Sequence, residues 1–188
     1  GRDSQEAQND LRNPNRRIYV DDKFGYDYDI LVNKARLWGL YETKRGIFDL
    51  TLSAYGEGTT IERDGKMQNG RAPHNSFGKS GAAKFFGGGG KAQLLINPGA
   101  GHRISIGAGY EKRAPLARNA FVAPRLHNDF VNNLKLEDVL SSELAYTFRW
   151  GILSGKVNAY YTRYMNQVEQ TAFYNDQESR FTYLAMSG

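Results

Sequence analysis

The sequence predicts an all-β fold whose antiparallel up-and-down strands form part of a transmembrane β-barrel, with about seven strands in this chain. Apolar and polar residues alternate along long segments, which places them on opposite faces of a sheet. Three hairpins have very short turns at one end and long polar connections at the other, an asymmetry typical of outer-membrane barrels. The 12 Tyr and 10 Phe suit aromatic girdles at the membrane interfaces.

The first predicted hairpin follows a polar segment, residues 1 to about 24, which we expect to be a loop. Its first strand is predicted over about 28 to 43, with apolar residues on both faces. A short turn at 44–46 leads into a second strand that begins near Phe48 and alternates cleanly. The polar stretch over about 57 to 76 is then the first long connection, and it is long for an ordinary hairpin loop.

The second predicted hairpin contains an unusual run of glycine. Its first strand covers about 77 to 97 and includes Gly87 to Gly90, where we expect the wall to bend or a neighbouring backbone to come close. After a short turn at 98–101, a strand beginning near Ile104 alternates apolar and polar residues. The second long connection is predicted over about 112 to 133.

The third predicted hairpin has the clearest alternation, over 140–150 and 153–164 around a turn at Gly151. A third polar connection is expected over about 166 to 179, followed by a strand fragment from about Arg180. Several of these strands exceed the ~9–11 residues needed to cross a bilayer. The residues expected to face lipid are Phe48, Leu50, Leu52, Ile104, Ile106, Tyr146, Phe148 and Val157. Those expected to face the lumen are Asp49, Ser53, Ser105, Glu143, Thr147 and Asn158.

Composition excludes several classes of protein. The 188 residues allow one domain or a piece of one, and mean hydropathy is -0.62. That value resembles a soluble protein, but membrane strands escape a hydropathy test because every second residue can be polar. No apolar run approaches the ~20 residues of a membrane helix. The chain has no cysteine for disulfides or thiolate metal sites, and its +5 charge is spread among acidic residues, so we expect no nucleic-acid partner.

Three segments resemble a known family. Residues 133–137 read Asn-Leu-Lys-Leu-Glu, and the strand over 141–146 reads Ser-Ser-Glu-Leu-Ala-Tyr. Together they resemble the late-barrel signature of TonB-dependent outer-membrane receptors, in which Asn-x-Leu-Lys-Pro-Glu precedes a Ser-x-Glu-x-Gly-x strand. Leu136 stands where the family has Pro, and Ala145 where Gly is common. Residues 113–115 read Arg-Ala-Pro after the strand that starts at Ile104, and they are similar to the family's Arg-x-Pro. The Gly- and Tyr-rich composition is most similar to that of receptors from Bacteroidetes-type bacteria.

This resemblance implies a role in import across the outer membrane. Such receptors are barrels of about 22 strands with a plugged lumen. The resemblance implies a nutrient ligand of unknown identity, a TonB energy-coupling complex that acts through the plug, and contact with outer-membrane lipid and lipopolysaccharide. A surface lipoprotein is a further possible partner, and no cofactor is implied. Residues 1–188 would then be a partial β-barrel domain, with the plug and the remaining strands outside this chain.

No motif indicates catalysis or metal binding. The segment that begins at Gly87 lacks the spacing of a phosphate-binding loop. His74, His102 and His127 lie more than twenty residues apart, unlike the ligands of a zinc site. There is no Ser/His/Asp or Cys/His pattern, and no carboxylate pair is placed for glycoside hydrolysis. We therefore predict neither an enzyme nor a metal protein.

The second long connection carries the best ligand-binding candidates. Guanidinium groups bind carboxylate or phosphate bidentately, and aromatic rings add contact area. Loops on a rigid scaffold are where binding residues concentrate. The candidates are Arg113, Arg118, Phe121, Arg125, His127 and Phe130. The alternatives to a receptor segment are a smaller porin or adhesin barrel and a soluble β-sandwich or lectin-like binding module, whose strands would be shorter.

Overall fold

The computed structural model describes residues 10–175 and 180–187. It is an all-β fold with one short 3-10 turn, Ala117–Ala120. The strands are β1 Tyr28–Arg45, β2 Phe48–Gly65, β3 Gly78–Gly99, β4 His102–Arg113, β5 Glu137–Trp150, β6 Leu153–Met165, β7 Val168–Asn175 and β8 Arg180–Ser187. No helix in this part of the chain is long and apolar enough to cross a membrane.

Strands β1 to β6 form one antiparallel sheet in sequence order, and β7 pairs with β8 in a separate two-stranded sheet. The predicted all-β, up-and-down architecture is confirmed. Within the described residues the large sheet is open, because β1 and β6 each pair on one side alone. Its strands contain 12 to 22 residues, whereas strands of globular proteins usually contain about 5–6.

Two predicted connections are wrong in their extent. Strand β2 continues to Gly65, since residues 57–65 pair fully with β1, and the first connection is therefore only 66–77. The segment Val168–Asn175 is a strand paired with β8 rather than a polar connection, which brings the described strands to eight. Val168, Thr171 and Phe173 give it the β-branched and aromatic content that favours a strand. Residues 1–9 of the first predicted loop and 176–179 of the third predicted connection lie outside the described residues.

The register divides the large sheet into two distinct faces. Side chains of directly paired residues project to the same face. One row across β2 to β6, on what we call the apolar face, consists of Leu50, Leu94, Ile106, Leu144 and Ala159. The neighbouring row, on the polar face, consists of Thr51, Gln93, Gly107, Glu143 and Tyr160. The two sets of residues predicted to lie on opposite faces do so without mixing.

Burial is opposite to that of a soluble sheet. On the apolar face, Leu52, Leu144 and Val157 remain 40%, 51% and 64% exposed. On the polar face, the ends of β2 and β3 contribute Ile61 and Phe85 to a buried cluster that includes residues of the second connection. We call this end of the sheet the wide end, and the opposite end, with turns at 46–47, 100–101 and 151–152, the short-turn end. The buried core therefore lies on the polar face at the wide end.

Candidate functional site

The second long connection, residues 114–136, folds over the polar face at the wide end, and we call it the cap. Phe121 is fully buried against Ile61 and Phe85 of the sheet. Its ring stacks on that of Phe130 with centroids 4.6 Å apart. Backbone hydrogen bonds close the cap on itself, with the Val131 N–H donating to the Ala120 carbonyl at 2.9 Å. The cap is thus a folded element that covers part of the polar face.

Arg63 at the end of β2 joins the cap to the sheet. Only 2% of this residue is exposed. Its Nε donates to the Pro124 carbonyl at 2.7 Å, and its Nη1 donates to the Ser76 carbonyl at 2.9 Å and to Asn128 Oδ1. The guanidinium also lies 4.9 Å from the ring centroid of Tyr28. One side chain therefore holds together both long connections and the ends of two strands.

A second set of contacts joins the first connection to the cap directly. The Asn128 N–H donates to the Asn75 carbonyl at 2.8 Å. The Asn75 side-chain amide donates to Asp129 Oδ1 at 2.6 Å. The Asn69 N–H donates to Ser76 Oγ at 2.8 Å, which orders the first connection near Arg63. The two connections consequently form one layer at the wide end.

The predicted ligand-binding residues do not converge on one site. Phe121 and Phe130 pack inside the cap, and Phe121 is 0% exposed, so a ligand does not reach it in this conformation. Arg113 is held by Glu137, with 3.2 Å between Arg113 Nε and Glu137 Oε2. Arg118 and Arg125 are exposed. The Arg125 guanidinium lies 4.9 Å from the ring centroid of Tyr26.

His127 is half-buried at the contact between the cap and the first connection. Its Nδ1 accepts a hydrogen bond from the Asp129 N–H at 3.3 Å. Burial lowers the pKa of His127, the nearby Asp129 carboxylate opposes that shift, and Arg63 and Arg71 add to it. The imidazole is therefore neutral at pH 7, which suits the acceptor role of Nδ1.

Beside the cap, the polar face carries a buried carboxylate with several partners. Glu57 is 7% exposed. It accepts hydrogen bonds from Lys34 Nζ at 2.9 Å, Arg36 Nε at 2.7 Å and Thr59 Oγ1 at 3.2 Å. Two cations and a hydroxyl group thus compensate for the loss of water around the carboxylate, as a buried charge requires.

The glycine run of β3 lets polar groups meet across that strand. Tyr55 of β2 and Glu111 of β4 both lie beside Gly89 in the register, and the Tyr55 hydroxyl donates to Glu111 Oε2 at 3.0 Å. A Cβ on Gly89 would lie 2.7 Å from the Glu111 Cβ, and one on Gly87 would lie 2.4 Å from the Lys112 carbonyl oxygen. The close backbone approach predicted from the sequence is therefore confirmed. Only residues without a Cβ fit at these positions.

This glycine run borders a cleft of about 380 Å³. The cleft is lined by charged and aromatic side chains that include Arg36, Trp38, Tyr55, Lys91 and Glu111. The Arg36 guanidinium lies 4.3 Å from the Tyr55 ring centroid, and Trp38 is 69% exposed. An aromatic recess with a few placed polar groups is the usual form of a small-molecule site.

Sequence reasoning missed this cleft because its residues come from four different strands. The available signal was the irregular pattern of β1, in which Leu37 and Trp38 are adjacent and therefore project to opposite faces. One of them had to lie on the polar face, and the register shows that it is Trp38, which pairs with Tyr55. An apolar residue out of alternation thus marks the candidate binding surface.

No family model, curated protein or solved structure matches this chain. Functional evidence therefore comes from its own sequence and geometry.

Proposed function

We propose that this chain is a barrel segment of a TonB-dependent receptor that imports a nutrient across a Gram-negative outer membrane. One observation carries the proposal: the apolar face of the large sheet is bare, whereas its polar face is covered by the cap at the wide end. A sheet in water buries its apolar side, but a barrel wall in a bilayer presents that side to lipid and its polar side to the lumen. Exposed Leu52, Leu144 and Val157 fit the lipid side, and buried Glu57 and Arg63 fit the lumen side.

The dimensions of the apolar face support a membrane strand. On β3 this face runs from Ile96 to Phe86, which is 82% exposed. Ten residues at about 3.4 Å each span about 34 Å. A strand tilt of about 35–45° reduces that length to about 24–28 Å, close to the ~25 Å apolar band of outer-membrane barrels. Aromatic side chains lie at both ends of this face, with Phe48 and Tyr146 toward the short turns and Tyr110 toward the wide end.

The large exposed surface of the chain also supports a sheet whose apolar face and edges are covered by something outside the chain. The chain exposes 12946 Å². A globular monomer of 21.2 kDa is expected to expose about 9,100 Å². This excess is consistent with a wall segment whose apolar face meets lipid and whose edges meet further strands.

In this proposal the cap folds into the lumen from the extracellular side, because long connections of such barrels are extracellular and short turns periplasmic. The cleft beside Trp38 and Lys91 then faces the transport path of a ligand whose identity is open. The plug, the coupling complex and any surface lipoprotein act through parts of the receptor outside this chain. Residues 133–146, which resemble the family signature, support this assignment over a porin.

Fractionation of the native, full-length protein tests the proposal. We expect it in detergent-extracted outer membrane, with a gel band that shifts between unheated and boiled samples. Uptake of its nutrient should also stop when the TonB coupling protein is deleted, which would not affect a porin or an adhesin. A soluble band with no heat shift would refute the transport function and favour the soluble β-sandwich binding module.

A further inference from the structure

The polar face carries a second cleft next to the one at Trp38. This second cleft has a volume of about 290 Å³ and crosses four strands, from β3 to β6. Its lining includes Ser105 of β4, Glu143 of β5 and Tyr160 of β6. Lys91 of β3 lines both clefts, so the two are continuous across the sheet.

Glycine residues of β4 form the floor of the second cleft. A Cβ on Gly109 would lie 2.9 Å from Lys91 Cγ and 3.1 Å from Ser141 Oγ. The Lys91 side chain therefore leans over β4 at the point where that Cβ is missing, toward the strand that carries Glu143. At Gly107 the floor is open, because the nearest atom of a neighbouring strand would be 3.9 Å from a Cβ.

Two opposite charges in this cleft have no partner within the protein. Lys91 and Glu143 are both exposed, and among the residues that the structure describes neither forms an ion pair or a side-chain hydrogen bond. Arg36 and Arg113 of the same face each have a carboxylate partner. A neutral ligand over the second cleft would remove water from both charges without replacing it, which is unfavourable. A ligand with an opposite charge at each end would pair with both.

The spacing of the two charges defines the size of that ligand. Lys91 and Glu143 lie two strands apart and differ by two residues in the register, because Lys91 is level with Ser141 across Gly109. At about 4.8 Å per strand and about 3.4 Å per residue, their Cα atoms are about 12 Å apart. Since the Lys91 side chain leans into this gap, an extended peptide of about two or three residues, at about 3.3–3.6 Å each, spans the rest.

We propose that the second cleft binds a short peptide with free ends, its carboxylate at Lys91 and its ammonium group at Glu143. The inference rests on the proposed function for its biological role, which makes such peptides the imported nutrient. Charge-assisted hydrogen bonds fix the two ends, and the hydroxyl groups of Ser105 and Ser141 lie between them to meet the peptide groups. Tyr160, which is 85% exposed beside Glu143, adds contact area for a ligand side chain.

The test titrates the full-length protein in detergent by calorimetry with the tripeptide Ala-Tyr-Ala and its N-acetylated, C-amidated and doubly blocked forms. The free peptide should bind about tenfold more tightly than either singly blocked form, a factor that a hydrogen bond to a charged group supplies. Glu143→Gln should weaken binding of the free peptide about tenfold and leave that of the N-acetylated form unchanged. Lys91→Gln should have the same effect on the free peptide and none on the C-amidated form.

Lys156→Gln and Glu42→Gln are the matched controls, because both residues are exposed charges of the polar face outside the two clefts. They should leave every affinity unchanged. Gly107→Leu keeps both charges but fills the open floor, and it should weaken binding of all four forms. The comparison of free and blocked peptides uses the unaltered protein, so it does not depend on the folding of any variant.

Equal affinity for the free and doubly blocked peptides, an equal effect of either charge variant on all forms, or no binding of the free tripeptide would refute the site. Tighter binding of the neutral trisaccharide maltotriose, unchanged by both charge variants, would assign the cleft to a hydroxyl-rich ligand instead. A heat-modifiable membrane protein that does not distinguish free from blocked ends would keep the barrel and lose the peptide site. A soluble protein without a heat shift that does distinguish them would keep the peptide site and lose the barrel.

Discussion

Replacing Arg63 with methionine should release the cap while the sheet stays intact. Methionine fills much of the space but donates no hydrogen bond, so the acceptors on Pro124, Ser76 and Asn128 lose their partner. Three hydrogen bonds from a charged donor contribute about 5–9 kcal/mol. Removing a buried guanidinium also removes its desolvation cost of several kcal/mol. The net loss of cap stability is therefore about 3 kcal/mol.

Hydrogen exchange measured by mass spectrometry resolves this local effect. A loss of about 3 kcal/mol lowers the protection of cap amides about 150-fold, at 1.36 kcal/mol per factor of ten. Peptides from the short-turn half of β2 and β3 should keep their protection. Arg118→Met is the matched control, because Arg118 is an exposed arginine of the same cap, and it should change nothing. Unchanged cap protection in Arg63→Met, or an equal loss across the whole sheet, would show that Arg63 does not hold the cap.

Three further changes test other parts of the structure. Gly89→Ala brings a Cβ within 2.7 Å of a side chain on β4 and should destabilise the sheet by about 1–3 kcal/mol in denaturant unfolding. Gly90→Ala is the control and should be tolerated, because the nearest atom to its Cβ would be 3.4 Å away. Leu52→Arg should cost about 2–4 kcal/mol in lipid if it lies near the bilayer midplane, and Ser53→Arg on the polar face much less; equal effects would indicate a solvated sheet. Burial lowers the pKa of His127 below the ordinary His pKa of 6.5. The neutral imidazole therefore stabilises the cap fully above pH 6.5, and this stabilisation is lost as the pH falls through the lowered pKa. Cap protection should therefore decrease on acidification, and His127→Gln should abolish that decrease.

The faces of the sheet and its turns were predictable because both depend on local sequence. Alternation has a period of two residues, so it assigns a face without knowledge of the partner strand. The short turns contain Gly46, Gly101 and Gly151, all with positive φ, and short turns fix the register of the strands they join. The glycine run of β3 was likewise recognisable as a site of close approach.

The cap and the end of β2 were not predictable in the same way. Arg63 lies 61 residues from Pro124 and 65 from Asn128, and no local pattern predicts those contacts. In residues 57–65, the charged residues Glu57 and Arg63 lie on the same face as Ile61. The segment therefore lacks a purely apolar face, and its sequence pattern predicts a polar connection instead of a strand. Its burial depends on the cap, whose fold depends in turn on this strand. The sequence predicts Phe121 as a ligand contact, because an aromatic residue in a polar loop does not reveal whether it packs inward.

The second, smaller sheet bears on the choice between a barrel wall and a soluble β-sandwich. A sandwich needs another layer over the apolar face of the large sheet. The hairpin of β7 and β8 is the other described sheet, but β7 contacts the 3-10 turn Ala117–Ala120, and Tyr183 of β8 packs against Ala123 and Leu126 of the cap. It therefore extends the covering of the polar side. The described layers thus all lie on the face with buried Glu57 and Arg63, and none of them covers the apolar face, as a soluble sandwich would require.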